Sequence, residues 1–127
     1  MDAPVDEDHE PGICPVVATA RIVSGKWTLL VLRDLAEGPR RFTELQRSLE
    51  GISPRTLSQR LRSLEEEGIV ERREYAESPP RVEYELTGKG VDLLPLVEAM
   101  RAYGTRWLGC APPAEARRRP ALAVAGR

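Results

Sequence analysis

Apolar side chains recur along this chain with a spacing that changes near Gly68. From residue 13 to residue 67 they return every three or four positions, which predicts a series of amphipathic helices. Between residues 69 and 86 apolar and polar residues alternate, as they do in half-buried strands. The helical spacing then resumes. The pattern therefore predicts four helices, two strands and a last helix.

The best-defined boundary lies in the middle of the chain. Ser53 followed by Pro54 combines a preferred N-cap residue with a residue that suits the first helical turn, so a helix begins there and runs to about residue 67. Gly51 and Ile52 form a tight turn before it, after a short helix that begins near Thr43. These two helices predict a helix-turn-helix.

Two further capping residues frame the rest of the domain. Ser24 is expected to cap the second helix, and Thr87 the last one, which spans about residues 88–109. Pro95 lies inside this last helix and either kinks or restarts it. A helix-turn-helix followed by a β-hairpin is a winged helix. The predicted fold class is thus α+β and mainly helical, a winged helix-turn-helix with an extra helix at each end.

The fourth predicted helix separates its apolar side chains from its polar ones. Three leucines share one side, and two arginines and a glutamine lie opposite. Guanidinium groups pair with guanine O6 and N7, an amide pairs with adenine, and hydroxyls bind phosphates or base edges. This combination predicts a recognition helix in the DNA major groove. The leucines are Leu57, Leu61 and Leu64, and the residues predicted to contact DNA are Ser53, Arg55, Thr56, Ser58, Gln59 and Arg62.

Glu65, Glu66 and Glu67 occupy the far end of the same helix. Carboxylates at a helix C-terminus oppose the helix dipole, at a cost of about 0.3–1 kcal/mol each when exposed, so the dipole does not explain their position. A helix that enters the groove by its N-terminal half keeps them away from phosphates. The alternative is a solvated amphipathic helix that does not touch DNA. Arg60, beside the leucines, is expected to pair with Glu44 or Glu65.

The predicted hairpin carries arginines on both sides of its loop. We expect Arg72 and Arg81 to reach the minor groove or the phosphates. Arg40 and Arg41, just before the helix-turn-helix, are further candidates for the DNA backbone. In the alternative interpretation the hairpin arginines pair only with glutamates on the strand surface, namely Glu71, Glu74, Glu83 and Glu85.

Composition adds two tails to this picture. The 127 residues include 19 Lys and Arg and 20 Asp and Glu, for a net charge of −1. Residues 1–12 are acidic, residues 110–127 are basic, and both segments lack apolar periodicity, so both are expected to be disordered. No apolar run approaches the roughly 18 residues of a membrane span, and we expect a cytoplasmic protein without a membrane partner.

Candidate chemistry other than DNA binding is sparse. The single histidine lies in the acidic tail, and the two cysteines stand at opposite ends of the ordered part, which is neither a metal spacing nor a disulfide framework. The sequence has no glycine-rich phosphate loop and no set of convergent nucleophiles. We therefore expect no enzyme activity, no metal and no cofactor.

Several stretches resemble the HxlR-type transcriptional regulators, a winged-helix family related to the MarR proteins. The resemblance covers residues 13–109, the expected domain, and its most specific part runs from Gly51 to Thr87. The matching stretches are Cys14-Pro15, "SGKWTLLVLRDL" at 24–35, "RFTELQRSLEGISPRTLSQRLRSLEEEGIVER" at 41–72, "YAESPPRVEYELTGKG" at 75–90, and Trp107.

The resemblance implies a homodimer that binds double-stranded operator DNA, with its dimerisation helices at the two ends of the domain. A two-fold dimer would hold its recognition helices about 34 Å apart, matching a pseudo-palindrome. The last helix agrees with this, because its apolar face is wider than one small domain can bury. The expected interface residues are Val16, Val17, Leu96, Met100, Tyr103 and Trp107.

Similarity to the family also implies that Cys14 senses electrophiles or oxidants. A helix N-terminus favours the thiolate, acids in the tail oppose it, and a merely buried interface cysteine is the alternative. Cys110 either pairs with Cys14 of the other subunit or is an idle thiol. The expected function is a dimeric, sequence-specific regulator, a repressor rather than an activator, with an electrophile, an oxidant or another small molecule as effector. The alternative function is a winged helix that binds only proteins.

Overall fold

The computed structural model describes residues 12–110, and the predicted tails lie almost entirely outside these residues. Four helices, an antiparallel hairpin and two further helices follow one another, which confirms the mainly helical winged helix-turn-helix. The elements are α1 (Pro15–Val23), α2 (Lys26–Leu35), α3 (Phe42–Ser48), α4 (Pro54–Glu66), β1 (Val70–Tyr75), β2 (Arg81–Leu86), α5 (Gly88–Val91) and α6 (Leu94–Trp107).

The core is built around α4. Its three leucines are each at most 2% exposed, and they join one apolar cluster with Val31 and Leu32 of α2. Fully burying a leucine side chain is worth roughly 1.5–3 kcal/mol, so the three together hold α4 at one rotation about its axis. The opposite side of the helix is turned to solvent as a consequence.

The tight turn between α3 and α4 lies where the sequence predicts it. Gly51 has a φ of 93°, in the left-handed region that a side chain would strain. The N–H of Ile52 donates to the carbonyl of Leu49 at 3.0 Å, and both of these side chains are buried. The turn thus reverses the chain while it adds two residues to the core.

The wing contains a contact that the sequence pattern did not predict. β1 and β2 pair antiparallel along their length, and Arg40 forms an isolated bridge to Tyr84 on the outer side of β2. The Arg40 N–H donates to the Tyr84 carbonyl at 2.9 Å, and the Tyr84 N–H donates to the Arg40 carbonyl at 2.8 Å. A bridge of one residue leaves no periodic trace in a sequence. It ties the segment between α2 and α3 to the wing.

Thr87 fastens the base of the wing to the last helices. Its hydroxyl donates to the Gly68 carbonyl at 2.7 Å and accepts from the Gly90 N–H at 3.1 Å, which confirms Thr87 as a cap. Gly90 is buried, and a Cβ at this position would overlap the carbonyl oxygen of Ile69. The close approach of α5 to the hairpin therefore requires glycine here.

The structure decides between the two alternatives for the last helix and corrects one expected cap. The last helix is not continuous, because α5 ends at Val91 and α6 begins at Leu94 with Pro95 in its first turn; proline restarts the helix here. Ser24 does not cap α2. Gly25, with a φ of 88°, occupies the cap position, and the Ser24 hydroxyl donates back to the Arg21 carbonyl at 3.5 Å.

None of the helices within residues 12–110 is by itself long and apolar enough to cross a bilayer. Taken together, α1 and α2 have the length and apolar composition of a span, but an 82° bend separates them.

Candidate nucleic-acid interface

The N-terminus of α4 is capped by Ser53, as predicted. The Ser53 Oγ accepts from the Thr56 N–H at 3.0 Å, and its hydroxyl donates to the Thr56 Oγ1 at 3.0 Å. Pro54 has no N–H, and the Leu57 N–H already donates to the Ser53 carbonyl. The Arg55 N–H is left without a partner among the described residues, so this first turn offers a single backbone donor to an anion.

The solvent side of α4 carries polar groups that are free to bind. Arg55, Gln59 and Arg62 are all exposed, and none of them makes a hydrogen bond or an ion pair with another residue in the 12–110 range. Thr56 and Ser58 lie half-buried at the flanks of this side. We call Arg55, Gln59 and Arg62 the reading face. Its donors and acceptors can therefore bind a partner without breaking a contact inside the protein.

The charges of α4 are segregated along its axis. Arg55 and Glu66 are eleven residues apart, about 16 Å at the rise of an α-helix. That distance exceeds the Debye length of about 8 Å at physiological salt, so a phosphate near Arg55 is largely screened from Glu66. The acidic end of α4 is therefore compatible with an anion at the other end.

The pairing predicted for Arg60 is wrong. Arg60 is half-buried on the inner flank of α4, and neither Glu44 nor Glu65 is its partner. The Glu44 carboxylate accepts from the Arg41 N–H at 2.9 Å instead, which caps α3. The Arg60 Nε is buried without a hydrogen-bond partner among the described residues.

The arginines of the wing differ from those of α4, because each is held by glutamates. Arg81 lies 2.9 Å from Glu77 and 3.3 Å from Glu83, and its guanidinium stacks 4.2 Å from the centre of the Tyr75 ring. Its Nε is buried without a partner. Arg81 is thus half-buried within the wing, and DNA contact by this residue would require it to exchange these partners.

The other two wing arginines are more exposed. Arg72 lies 3.6 Å from Glu74, and Arg73 lies 3.4 Å from Glu71 and 3.6 Å from Glu85. Exposed pairs of this kind are worth roughly 0–1 kcal/mol, so a phosphate can displace them. Arg72 remains a candidate for DNA contact on this ground.

Cys14 stands at the N-cap of α1 and is exposed. Hydrogen bonding by the Val17 N–H, and then by the Val16 N–H, lowers the pKa of the Cys14 thiol. These two N–H groups belong to the first turn of α1 and have no acceptor within the helix, so they favour an anion. Cys110, at the other end of the described chain, is also an exposed free cysteine.

Large apolar side chains are exposed on the terminal helices. All six predicted interface residues belong to this group, with Val16 at 74%, Tyr103 at 60% and Trp107 at 63% exposure. Sequence reasoning missed two members, Val91 and Leu108, which flank α6 at positions outside its apolar stripe. Exposure of this extent is unusual unless a surface has a partner.

A metal centre is not found in the described part of the chain, since no three His, Cys, Asp or Glu side chains of residues 12–110 are grouped to hold an ion.

Comparisons with known proteins agree with this geometry. The model of the HxlR-like helix-turn-helix family matches residues 22–111. A protein of Synechocystis sp. described as an uncharacterized HTH-type transcriptional regulator is 45% identical over 107 residues, which make up 84% of this chain and 79% of that protein.

Solved structures of similar proteins agree with this family match. The redox regulator HypR in its reduced form matches with a TM-score of 0.70 at 39% identity, over 73% of this chain and 92% of HypR. Diamide-treated YodB from B. subtilis matches with a TM-score of 0.64 at 34% identity, over 80% of this chain and 99% of YodB. With a helix-turn-helix, a wing and a matching family model in place, the chain belongs to the HxlR-like helix-turn-helix family of transcriptional regulators, which are not enzymes.

Proposed function

We propose that this protein is a homodimeric, sequence-specific DNA-binding repressor that inserts α4 into the major groove of operator DNA. One observation carries the proposal. The reading face is exposed and unpaired among the described residues, while the leucines behind it are buried. A bidentate contact from arginine to guanine or from glutamine to adenine is worth about 1–3 kcal/mol of discrimination between bases.

Residues around the reading face would position the helix. The free Arg55 N–H and the hydroxyls of Thr56 and Ser58 are suited to phosphates or base edges. Ser53 acts through its cap, since its hydroxyl is already engaged by Thr56. In the wing, Arg72 would bind phosphate after it leaves Glu74, and Arg81 would support the wing from within.

The exposed apolar residues of α1 and α6 support a two-fold dimer. Burying surface of this kind against a second copy removes apolar area from water, which stabilises association. A dimer would set two copies of α4 about 34 Å apart, as a pseudo-palindromic operator requires. Sedimentation or light scattering should give twice the chain mass of 14.1 kDa. A monomer at working concentration would contradict this part of the proposal.

The DNA-binding proposal can be tested with the intergenic DNA next to the gene. The purified full-length protein should retard this DNA at low salt and protect a pseudo-palindrome from cleavage. Repression predicts that deletion of the gene raises transcription of the adjacent operon. An absence of retardation on every candidate promoter would instead favour a winged helix that binds proteins.

Cys14 is the proposed sensor of electrophiles or oxidants. Its thiol is exposed, and hydrogen bonds from Val17 and Val16 lower its pKa, so the nucleophilic thiolate is more populated than in a free cysteine. The similar structures include the redox regulator HypR and YodB treated with diamide, which support a thiol-based response. A regulator that reads operator DNA would work in the compartment that holds the genome, the cytoplasm.

A pH titration of alkylation tests the thiol itself. The rate rises with pH as the thiolate forms, and a lowered pKa moves the midpoint of this rise to lower pH. The midpoint for Cys14 in the folded protein should therefore lie below that of Cys14 in the urea-unfolded chain. Equal midpoints would remove the structural basis for sensing.

The Cys14→Ser variant tests the response. It should bind operator DNA normally and should fail to release it after treatment with diamide or a quinone. Cys110→Ser is the matched control for a second exposed thiol, and it separates a response that needs Cys14 alone from one that needs both. Release of DNA by the oxidised Cys14→Ser variant would show that another group is the sensor.

A further inference from the structure

The N-terminal end of the sequence is acidic, and the proposed function does not explain why. Residues 1–11 carry five carboxylates and no Lys or Arg, although the whole chain has nearly equal numbers of basic and acidic residues. A dense run of carboxylates is attracted to the same kind of surface that attracts the phosphates of DNA. We call residues 1–11 the acidic segment, and its acids are Asp2, Asp6, Glu7, Asp8 and Glu10.

The reading face complements the acidic segment in charge. Arg55 and Arg62 are exposed and have no ion-pair partner within residues 12–110. The arginines of the wing are instead held by glutamates. Arg21 and Arg47 are also exposed, but each is the single arginine of its helix. Among the described elements, α4 therefore has two unpaired guanidinium groups on one exposed side.

The spacing of the charges agrees between the two partners. Arg55 and Arg62 are seven residues apart, which corresponds to about 10.5 Å along α4. Glu7 and Glu10 are three residues apart, which corresponds to about 10 Å in an extended chain. An extended segment along α4 would therefore bring one carboxylate to each guanidinium. Gln59 lies between the two arginines and offers its amide to the backbone of the segment.

The acidic segment is long enough to reach this face. It leads into α1, and α1 lies beside α4, because Arg21 and Arg60 line the same cavity. The path along α1 from Pro15 to Arg21 is about 9 Å, and a path around α4 adds a helix diameter of about 10–12 Å. The eight residues from Glu7 to Pro15 span as much as about 26–29 Å when extended. The carboxylates can therefore contact the reading face of the same chain.

Like charges disfavour the neighbouring surfaces as docking sites. The far end of α4 carries three consecutive glutamates, and the wing has five glutamates against three arginines. Both surfaces repel an acidic segment. The first turn of α4, by contrast, adds the Arg55 N–H, which has no partner among the described residues. The N-terminal half of α4 is therefore the favoured part of this surface.

We propose that the acidic segment docks on the reading face of its own chain and competes there with DNA. Each exposed ion pair is weak, but the link through α1 holds the segment at a high effective concentration. DNA carries a much denser array of negative charge and displaces the segment. The effect on operator affinity rests on the proposed DNA-binding function, whereas docking of the segment is measured without DNA.

The first experiment compares two forms of the protein in the absence of DNA. One is the 127-residue chain, and in the other, the amide form, four carboxylates are replaced: Asp6→Asn, Glu7→Gln, Asp8→Asn and Glu10→Gln. In nitrogen-15 spectra at low salt, the Nε–H signals of Arg55 and Arg62 should differ between the two forms, and added salt should remove the difference. The Arg73 signal should be the same in both. Identical Arg55 and Arg62 signals would overturn the proposal.

Arginine variants locate the docking surface. A synthetic peptide of residues 1–11 should bind at millimolar concentration to a chain that lacks residues 2–11. In that chain, Arg62→Gln should weaken the peptide by about threefold or more, because it removes one ion pair. Arg73→Gln is the matched control and should bind the peptide as the parent does, since Arg73 is exposed but already lies near Glu71 and Glu85. Equal losses in the two variants would indicate a diffuse attraction between charges and refute a site on α4.

The second experiment measures the competition with DNA. At low salt the amide form should bind operator and unrelated DNA more tightly than the parent by the same factor, about threefold to tenfold, because the segment must leave before either DNA binds. Unchanged affinity would refute the competition. Repulsion at a distance between the segment and DNA would also strengthen binding by the amide form, but it would leave the Arg55 and Arg62 signals unchanged without DNA.

The C-terminal end of the chain supplies the last control. Residues 111–127 hold four arginines and one glutamate, which makes them a second candidate partner for the acidic segment. In a chain that lacks these residues, the four amide substitutions should still raise DNA affinity. Loss of that effect would assign the acidic segment to the C-terminal residues and overturn docking on α4. If no form of the protein binds DNA, the proposed function is wrong, and the spectra still decide whether the segment docks.

Discussion

The arginines of α4 and those of the wing have opposite surroundings. Arg55 and Arg62 project from α4 into solvent without a partner in the described chain, whereas Arg72, Arg73 and Arg81 each lie within 3.6 Å of a glutamate. Both elements would look basic in a count of residues. Of these two elements, only α4 presents guanidinium groups that can bind DNA without first breaking an ion pair.

This difference indicates separate roles for α4 and the wing in DNA binding. A guanidinium that is free in the unbound protein can give its full hydrogen bonding to a base edge, and on α4 a buried leucine stripe fixes its direction. A guanidinium that already has a carboxylate partner must exchange it, so the net gain from a phosphate is small. We therefore expect sequence discrimination from α4 and a modest, salt-dependent contribution from the wing.

The largest expected effect comes from removing the support of the reading face. Leu57→Ala deletes a fully buried side chain of α4 and should lower the free energy of unfolding by about 2–5 kcal/mol. Urea unfolding followed by circular dichroism measures this loss. Ser58→Ala, at the next and half-buried position, should cost far less. Similar losses for both would mean that the leucine stripe does not hold the helix.

The second-largest effect is expected from changes in the reading face itself. Arg62→Ala or Gln59→Ala should each weaken specific operator binding by about 1–3 kcal/mol and leave the dimer intact, because each removes a base contact. Fluorescence anisotropy with labelled operator measures the change. Glu66→Gln removes a negative charge about 6 Å along the helix from Arg62, which is within the Debye length, so it should strengthen operator binding slightly. An Arg62 variant with parental affinity would exclude that residue from base reading.

The wing should give a smaller and less specific effect. Arg72→Ala should weaken operator and unrelated DNA equally, by less than about 1 kcal/mol, and should reduce the slope of affinity against salt by about one. Glu74→Gln, which frees Arg72 from its partner, should strengthen binding instead. Loss of sequence specificity in the Arg72 variant would mean that the wing reads bases, which would contradict the separate roles of α4 and the wing.

The elements with local signals could be predicted from the sequence. Ser53 and Pro54 mark the start of α4 because capping and proline geometry act within one helical turn, and the leucine stripe follows from the helical period. The exposure of Arg55 and Arg62 follows from the same period, because it sets them opposite the core.

The features that the sequence did not predict depend on which groups the folded chain brings together. The Arg40–Tyr84 bridge joins positions 44 residues apart, and the contacts of Arg81 with Glu77 and with the Tyr75 ring depend on how the loop folds back. The pairing of Arg81 with Glu83 is the alternative that the sequence left open. Arg60 has acids nearby in sequence, but Glu44 is used by the α3 cap. Similarly, the left-handed Gly25 displaces Ser24 from its expected cap. Which groups pair with each other depends on the tertiary structure, and it leaves no periodic pattern in the sequence.

Interference by guanine N7 methylation tests the central claim most directly, because it probes the atom that a major-groove arginine would bind. With the native protein, methylation of guanines in each half of the operator should block binding. With Arg62→Ala, interference should disappear at one guanine in each half and persist at the others. Identical interference patterns for the two proteins would contradict base reading by α4.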